Sequence, residues 1–182
     1  MFKSAKMDLT FQLDTSTPWL VFSFILAAIS MVMMFMPRTP ACIVAYMALW
    51  AARLSGFTPF SNSTMIFWGV AVVIVAINRY LLPAQIRYSR RGLGYIAGGA
   101  IVGMAVGLTL YRPATVIGGA AIGAFLGAVA YTRTSRGKAL EFPTSKFFNY
   151  LGAKGIPAVM AASMCGMIFA GLLARNAALS AF

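Results

Sequence analysis

An all-α, polytopic membrane protein of about six transmembrane helices around a central glycine-zipper hairpin is the fold class that three features of the sequence predict. The 182 residues are 60% apolar and only 10% charged, with a mean hydropathy of +0.82, whereas soluble domains are about 45–50% apolar and about 25% charged. The apolar residues fall into six runs, each bounded by proline, glycine or basic residues. One glycine ladder, GGAIVGMAVG at residues 98–107, is nearly repeated as GGAAIGAFLG at residues 118–127.

Residues 1–16 read as a polar or interfacial tail and residues 17–182 as a single helical transmembrane domain. The tail is too long and too polar ahead of its apolar run for a cleaved signal peptide, so it is expected to be retained. Its alternation of Met7, Leu9, Phe11 and Leu13 fits a short strand or a segment lying on the membrane surface, and equally a tail that orders on contact. The apolar runs are 19–36, 41–54, 65–82, 95–110, 115–131 and 156–173. A spanning helix needs about 20 residues, with about 17 as the lower limit. The first, third and sixth runs are comfortable on that count. The second, fourth and fifth are short, and either cross where the bilayer is thin, tilt little, or form hairpins that do not fully cross.

Gly99, Gly103 and Gly107 lie four apart, as do Gly119, Gly123 and Gly127, so each set makes a stripe along one helix face. Inside lipid, helices associate through close van der Waals packing, and glycine permits the nearest backbone approach. Between the ladders stands Tyr111-Arg112-Pro113-Ala114, with Pro113 placed to end one helix and begin the next. Folding the chain about Pro113 pairs Gly107 with Gly119, Gly103 with Gly123, Gly99 with Gly127 and Tyr95 with Tyr131. Residues 94–132 then form one tight antiparallel hairpin. In the competing arrangement each stripe packs on a different helix or on another copy of the chain. A dinucleotide-binding fingerprint would need a preceding strand, and none is indicated.

Charge sets the expected orientation. If the loop after the third run is cytoplasmic, that side collects ten basic residues, Arg38, Arg79, Arg87, Arg90, Arg91, Arg133, Arg136, Lys138, Lys146 and Lys154. The other side holds five, Lys3, Lys6, Arg53, Arg112 and Arg175. The positive-inside rule thus places both termini on the non-cytoplasmic side of a bacterial inner membrane. The formal net charge is +12, yet the basic residues flank apolar runs without the aromatic interleaving that suits base stacking, so anionic lipid is expected rather than nucleic acid. Arg79, Arg87, Arg90 and Arg91, with Lys146 and Lys154 of a basic cytoplasmic loop at 133–154, are the candidate headgroup ligands. The stretch SKFFNYL at 145–151 reads as an amphipathic turn on the cytoplasmic surface. Arg53, Asn78, Arg79, Arg175 and Asn176 lie near helix ends, where snorkelling accounts for them.

The order of these features carries a resemblance. A first apolar run closed by Pro37-Arg38-Thr39-Pro40, two further runs, paired glycine-rich helices and a final apolar helix resemble the bacterial small glycine-rich integral membrane proteins of the domain of unknown function four-five-six family. The resemblance covers nearly the whole chain from about Trp19 onward and implies a helical membrane fold without implying an activity. Members carry a Gly-Pro in the second ladder and an acidic residue soon after it. This chain has Gly123-Ala124 and Tyr131-Thr132-Arg133 instead, so no acidic site is carried over.

Chemistry built from side chains has little to work with. The chain has no His, and its three acids, Asp8, Asp14 and Glu141, all lie outside the apolar runs, which leaves no intramembrane carboxylate for proton coupling or acid–base work. Cys42 and Cys165 read as small buried hydrophobes, and no serine or cysteine has a base to activate it. The twelve methionines are expected to fill core gaps rather than bind soft metals. No cofactor and no catalytic residue is expected. Two function classes remain: a small transport-like or lipid-translocating protein, towards which six helices lean, and a structural subunit that assembles with itself or with a larger membrane complex. A transporter should line a path with some of Ser23, Ser30, Asn78, Thr109, Thr115 and Ser163, whereas a scaffold would scatter them.

Overall fold

Six helices and no strand make up the described residues of the computed structural model. The backbone is described for residues 2–36, 40–56, 58, 60–81, 92–110, 112–134, 137 and 142–179, and the side chains for all of these except 2–16, 79–81 and 175–179. The helices are α1 (Phe2–Met33), α2 (Ala41–Leu54), α3 (Asn62–Leu81), α4 (Leu93–Leu108), α5 (Pro113–Thr132) and α6 (Ser145–Leu179).

The tail at 2–16 is the first part of α1, so its alternating apolar residues do not form a strand. A lone strand leaves its backbone groups unpaired, whereas continuing the helix satisfies them within the segment. The amphipathic stretch at 145–151 likewise opens α6, where the hydroxyl of Thr144 accepts the Phe147 N–H at 3.3 Å and ties down the first turn.

Length separates the helices. Among the described residues, α5 and the stretch Ser145–Ala174 of α6 are long and apolar enough to cross a membrane by length and composition alone. The other apolar stretches, Thr17–Met33, Ala41–Leu54, Asn62–Asn78 and Leu93–Leu108, are shorter. The first of these begins and the third ends where the described side chains do.

The bundle is built from two close antiparallel pairs laid against α6, which touches each of the other five helices. In α1 and α2 the meeting faces are small. Ala27, Ala45, Ala48 and Ala52 are fully buried, and Ser23 and Ser30 donate to the carbonyls of Ala48 and Ala41, both at 2.9 Å. Each hydroxyl is satisfied across the helix pair rather than within its own turn. The second pair is α4 and α5, whose contact is the most extensive in the molecule. From α6, Gly166 faces Met104 and Val116 of that pair, the Cys165 sulfur lies 3.7 Å from the Ala27 carbonyl oxygen, and Phe169 packs on Phe24 with ring centroids 5.4 Å apart. The middle of α6, residues 160–168, is buried on every side.

These contacts sort the chain into two ends. One end gathers the Arg112-Pro113 turn, Thr58 and Gly171, the last two in side-chain contact range. The other gathers Gly92, Tyr131 and Tyr150. Successive helices therefore run in alternating directions.

Candidate functional site

The seam between α4 and α5 is the most specific feature of the molecule, and it is made of backbone. A methyl group added at Gly103 would fall on the Gly119 carbonyl and 2.9 Å from the Gly123 Cα. One added at Gly99 would fall on the Gly123 carbonyl and 3.2 Å from the Gly127 Cα, and one at Gly119 on the Gly103 carbonyl and 3.2 Å from the Gly107 Cα. Gly107 faces Thr115 and Val116, and Gly127 faces Tyr95 and Ile96. All six ladder glycines thus lie on the contact face, while Gly98 and Gly118, the other halves of the Gly-Gly doublets, have nothing within 4 Å of an added carbon. At such approach each Cα–H can point at a facing carbonyl, a weak contact that glycine alone makes available twice per residue.

Both ends of the seam are closed by side chains. At the turn, Pro113 occupies the first position of α5, where its missing N–H costs nothing. The Thr115 hydroxyl lies 2.9 Å from the Gly107 carbonyl and 2.7 Å from that of Arg112, bridging the two helices. At the open end Tyr95 and Tyr131 meet with centroids 5.7 Å apart, and Tyr131 stacks on Tyr150 of α6 at 6.2 Å. The Lys154 ammonium sits 5.2 Å from the centre of the Tyr150 ring, a cation–π distance. Gly92, just before α4, has φ 69 and lies beneath both Tyr131 and Tyr150. Its place needs a left-handed backbone and the absence of a side chain together.

Among the described residues, Lys146 and Lys154 do not share one surface. Lys146 is exposed on the first turn of α6, whereas Lys154, two turns on, is 6% exposed. Phe147 beside Lys146 is fully buried and packs against Phe125 and Phe142 at 6.1 and 5.2 Å. The rings of SKFFNYL are therefore split, with Phe148 outward and Phe147 and Tyr150 inward. Arg79 lies in α3 among the residues whose side chains are not described, and Arg87, Arg90 and Arg91 lie outside the described residues.

The polar residues that could line a path are dispersed. Ser23 and Ser30 are used between α1 and α2 and Thr115 in the hairpin turn. Thr109 is exposed and bonds the Val106 carbonyl at 2.7 Å, and Asn78 is exposed on α3. Ser163 is fully buried in α6 with no hydrogen-bond partner for its hydroxyl. Cys42 and Cys165 are buried and in no disulfide, and no group of three or more His, Cys, Asp or Glu that could hold a metal occurs among the described residues.

Two features went unread in the sequence. The small-residue faces of α1 and α2 carry a signal, since Ser23, Ala27 and Ser30 and then Ala41, Ala45, Ala48 and Ala52 recur at helical spacing. The addition of Tyr150 and Lys154 to the expected Tyr95–Tyr131 pair does not, because α6 reaches the hairpin only in three dimensions. Searches for a matching family model, a similar curated protein and a similar solved structure find none.

Proposed function

We propose that this chain is a non-enzymatic, multi-pass membrane protein of six spanning helices that serves as a structural or assembly subunit. One observation carries the membrane part of the reading: large apolar side chains point outward on every helix. Phe22 and Ile25 on α1, Met47 on α2, Phe67 and Val70 on α3, Val102 on α4, Ile122 on α5 and Ile156 on α6 are all exposed. A soluble chain rarely exposes large contiguous apolar patches, whereas lipid requires an apolar surface. Alternating helix directions suit repeated crossing. The basic loops then face the cytoplasm, both termini face the other side, and anionic headgroups are the partners of Arg79, Arg87, Arg90, Arg91 and Lys146. Membership of the domain of unknown function four-five-six family, argued from Pro37-Arg38-Thr39-Pro40 and the glycine pair, belongs to the same proposal and adds no activity to it.

The assembly reading is favoured over transport by the fate of the polar residues. Ser23, Ser30 and Thr115 are spent in holding helices together, and a backbone-to-backbone seam leaves no room for a path through the hairpin. Reconstituted vesicles should therefore leak ions and small polar solutes no faster than protein-free vesicles of the same lipid. Protein-dependent efflux that saturates with solute concentration would replace the assembly reading with the transport-like one.

A further inference from the structure

We propose that residues 142–148 form an interfacial anchor, which seats Phe142 and Phe148 in the acyl boundary of the leaflet at the Tyr131 end and sets Lys146 and Arg133 against its anionic phosphates. The inference rests on the membrane reading above and deepens it by naming the segment and the lipid.

The register between α5 and α6 shows that α6 does not enter the bundle straight. Gly166 lies against Val116. Phe147 stands 19 residues before Gly166 and Phe125 only 9 after Val116, so a straight antiparallel α6 would carry Phe147 about 15 Å past Phe125. The side chains would not close that gap, because each Cβ leans towards the start of its own helix and the two helices start at opposite ends. Yet the rings of Phe147 and Phe125 lie 6.1 Å apart. The first turns of α6 therefore bend back over α5, and Pro157 inside α6, which takes one backbone hydrogen bond out of the helix, is placed to allow it.

The bend sets a depth. Phe125 precedes Tyr131 by 6 residues, about 9 Å along α5, and Phe142 packs on Phe125 at 5.8 Å. Residues 142–148 thus lie below the end of the hairpin rather than beyond it, within the roughly 5–10 Å to which an interfacial apolar face sinks. At that level two rings turn outward. Phe142 and Phe148 are 48% and 53% exposed with centroids 6.2 Å apart, and the fully buried Phe147 backs them at 5.2 and 5.6 Å. Lys146, between them in sequence, is exposed, and so is Arg133 at the end of α5. The whole stretch 133–148 carries four basic residues, Arg133, Arg136, Lys138 and Lys146, against one acid, Glu141. An anionic leaflet supplies the phosphates for these cations and, a few Å deeper, the acyl chains for the two rings.

Nitroxide depth measurements test the anchor and tell lipid from protein cover. On a Cys42→Ala, Cys165→Ala background, Phe148→Cys carries the label at the anchor and Val102→Cys carries it on the outer face of α4, in vesicles of phosphatidylcholine with phosphatidylglycerol. Both variants are first checked for unchanged helicity and a monodisperse elution profile. Collision rates with oxygen and with a water-soluble nickel chelate should place the Phe148 label about 5–10 Å below the phosphates, and the Val102 label deeper. Free access of nickel to the Phe148 label would put the segment in water, and exclusion of both reagents would put it against protein, a second copy of the chain. Either result overturns the anchor while an oxygen-rich Val102 label keeps the membrane reading. Free access of nickel at Val102 would remove the membrane reading, and the anchor with it. Lys146→Gln with Arg133→Gln should raise the phosphatidylglycerol fraction needed for half of its effect on the unfolding midpoint by about fivefold or more, the contribution of one or two basic residues near an anionic surface. An unchanged requirement overturns the assignment of these two residues to phosphate.

Discussion

Gly103→Leu and Gly123→Leu are each expected to destabilise the protein more than any substitution of similar size on the outer faces of the same helices. An added carbon at Gly103 meets the Gly123 Cα at 2.9 Å as well as the Gly119 carbonyl, and one at Gly123 meets the Gly103 Cα at 2.9 Å. These are backbone atoms and have no rotamer to retreat into. Relief requires the two helices to part, which loosens every other glycine contact along the seam. Overpacking in a tight interior costs about 1–3 kcal/mol, and the rigid neighbours put these two at the upper end. Val102→Leu and Ile122→Leu are the controls, since those residues are 64% and 63% exposed and should change stability by about 0.5 kcal/mol or less. Thermal unfolding in detergent reads the difference. Equal midpoints for all four variants would show that the seam is not a point of close packing.

Gly92→Ala is expected to cost more than Gly56→Ala, although both glycines have φ 69. An alanine at either position accepts the left-handed backbone at about 1–2 kcal/mol. At Gly56 that is the whole effect, because nothing lies within 4 Å of the added methyl group. At Gly92 the methyl would also fall 2.6 Å from Tyr131 Cδ1 and against the Tyr150 hydroxyl. Two stacked rings would have to shift together, and Lys154 lies over one of them. The total should reach about 3 kcal/mol, with the second part being displacement of the tyrosine cluster. A shift in tyrosine near-ultraviolet dichroism in Gly92→Ala alone would mark that second part. Equal losses in the two variants would mean that the rings yield freely.

How much of this architecture could be read from the sequence depends on the range of the interaction involved. The bounds of α2 follow from Pro40 on one side and Ser55-Gly56 on the other, and Pro113 marks the start of α5, because these are local backbone constraints. The repeat of four in Gly99, Gly103 and Gly107 identifies a face, since helical periodicity is also local. Which surface that face meets is decided by the chain as a whole. The tail and the stretch SKFFNYL were harder, because alternation over a few residues and a short run of aromatics fit more than one conformation. Lys154 illustrates the remaining difficulty. In sequence it is one of several basic residues between apolar runs, and only the arrival of α6 beside Tyr131 puts its ammonium over the ring of Tyr150.

The central claim is that helices as short as α2 cross the membrane, and accessibility of single cysteines tests it most directly. On a Cys42→Ala, Cys165→Ala background, Met36→Cys, Ser61→Cys, Thr109→Cys and Lys146→Cys place a thiol at exposed positions beside α1, α3, the hairpin turn and α6. A membrane-impermeant maleimide applied to intact cells should label Ser61→Cys and Thr109→Cys. The same reagent applied to inverted vesicles should label Met36→Cys and Lys146→Cys. Labelling of Met36→Cys and Ser61→Cys from the same side would show that α2 does not cross, and the six-span account would fail.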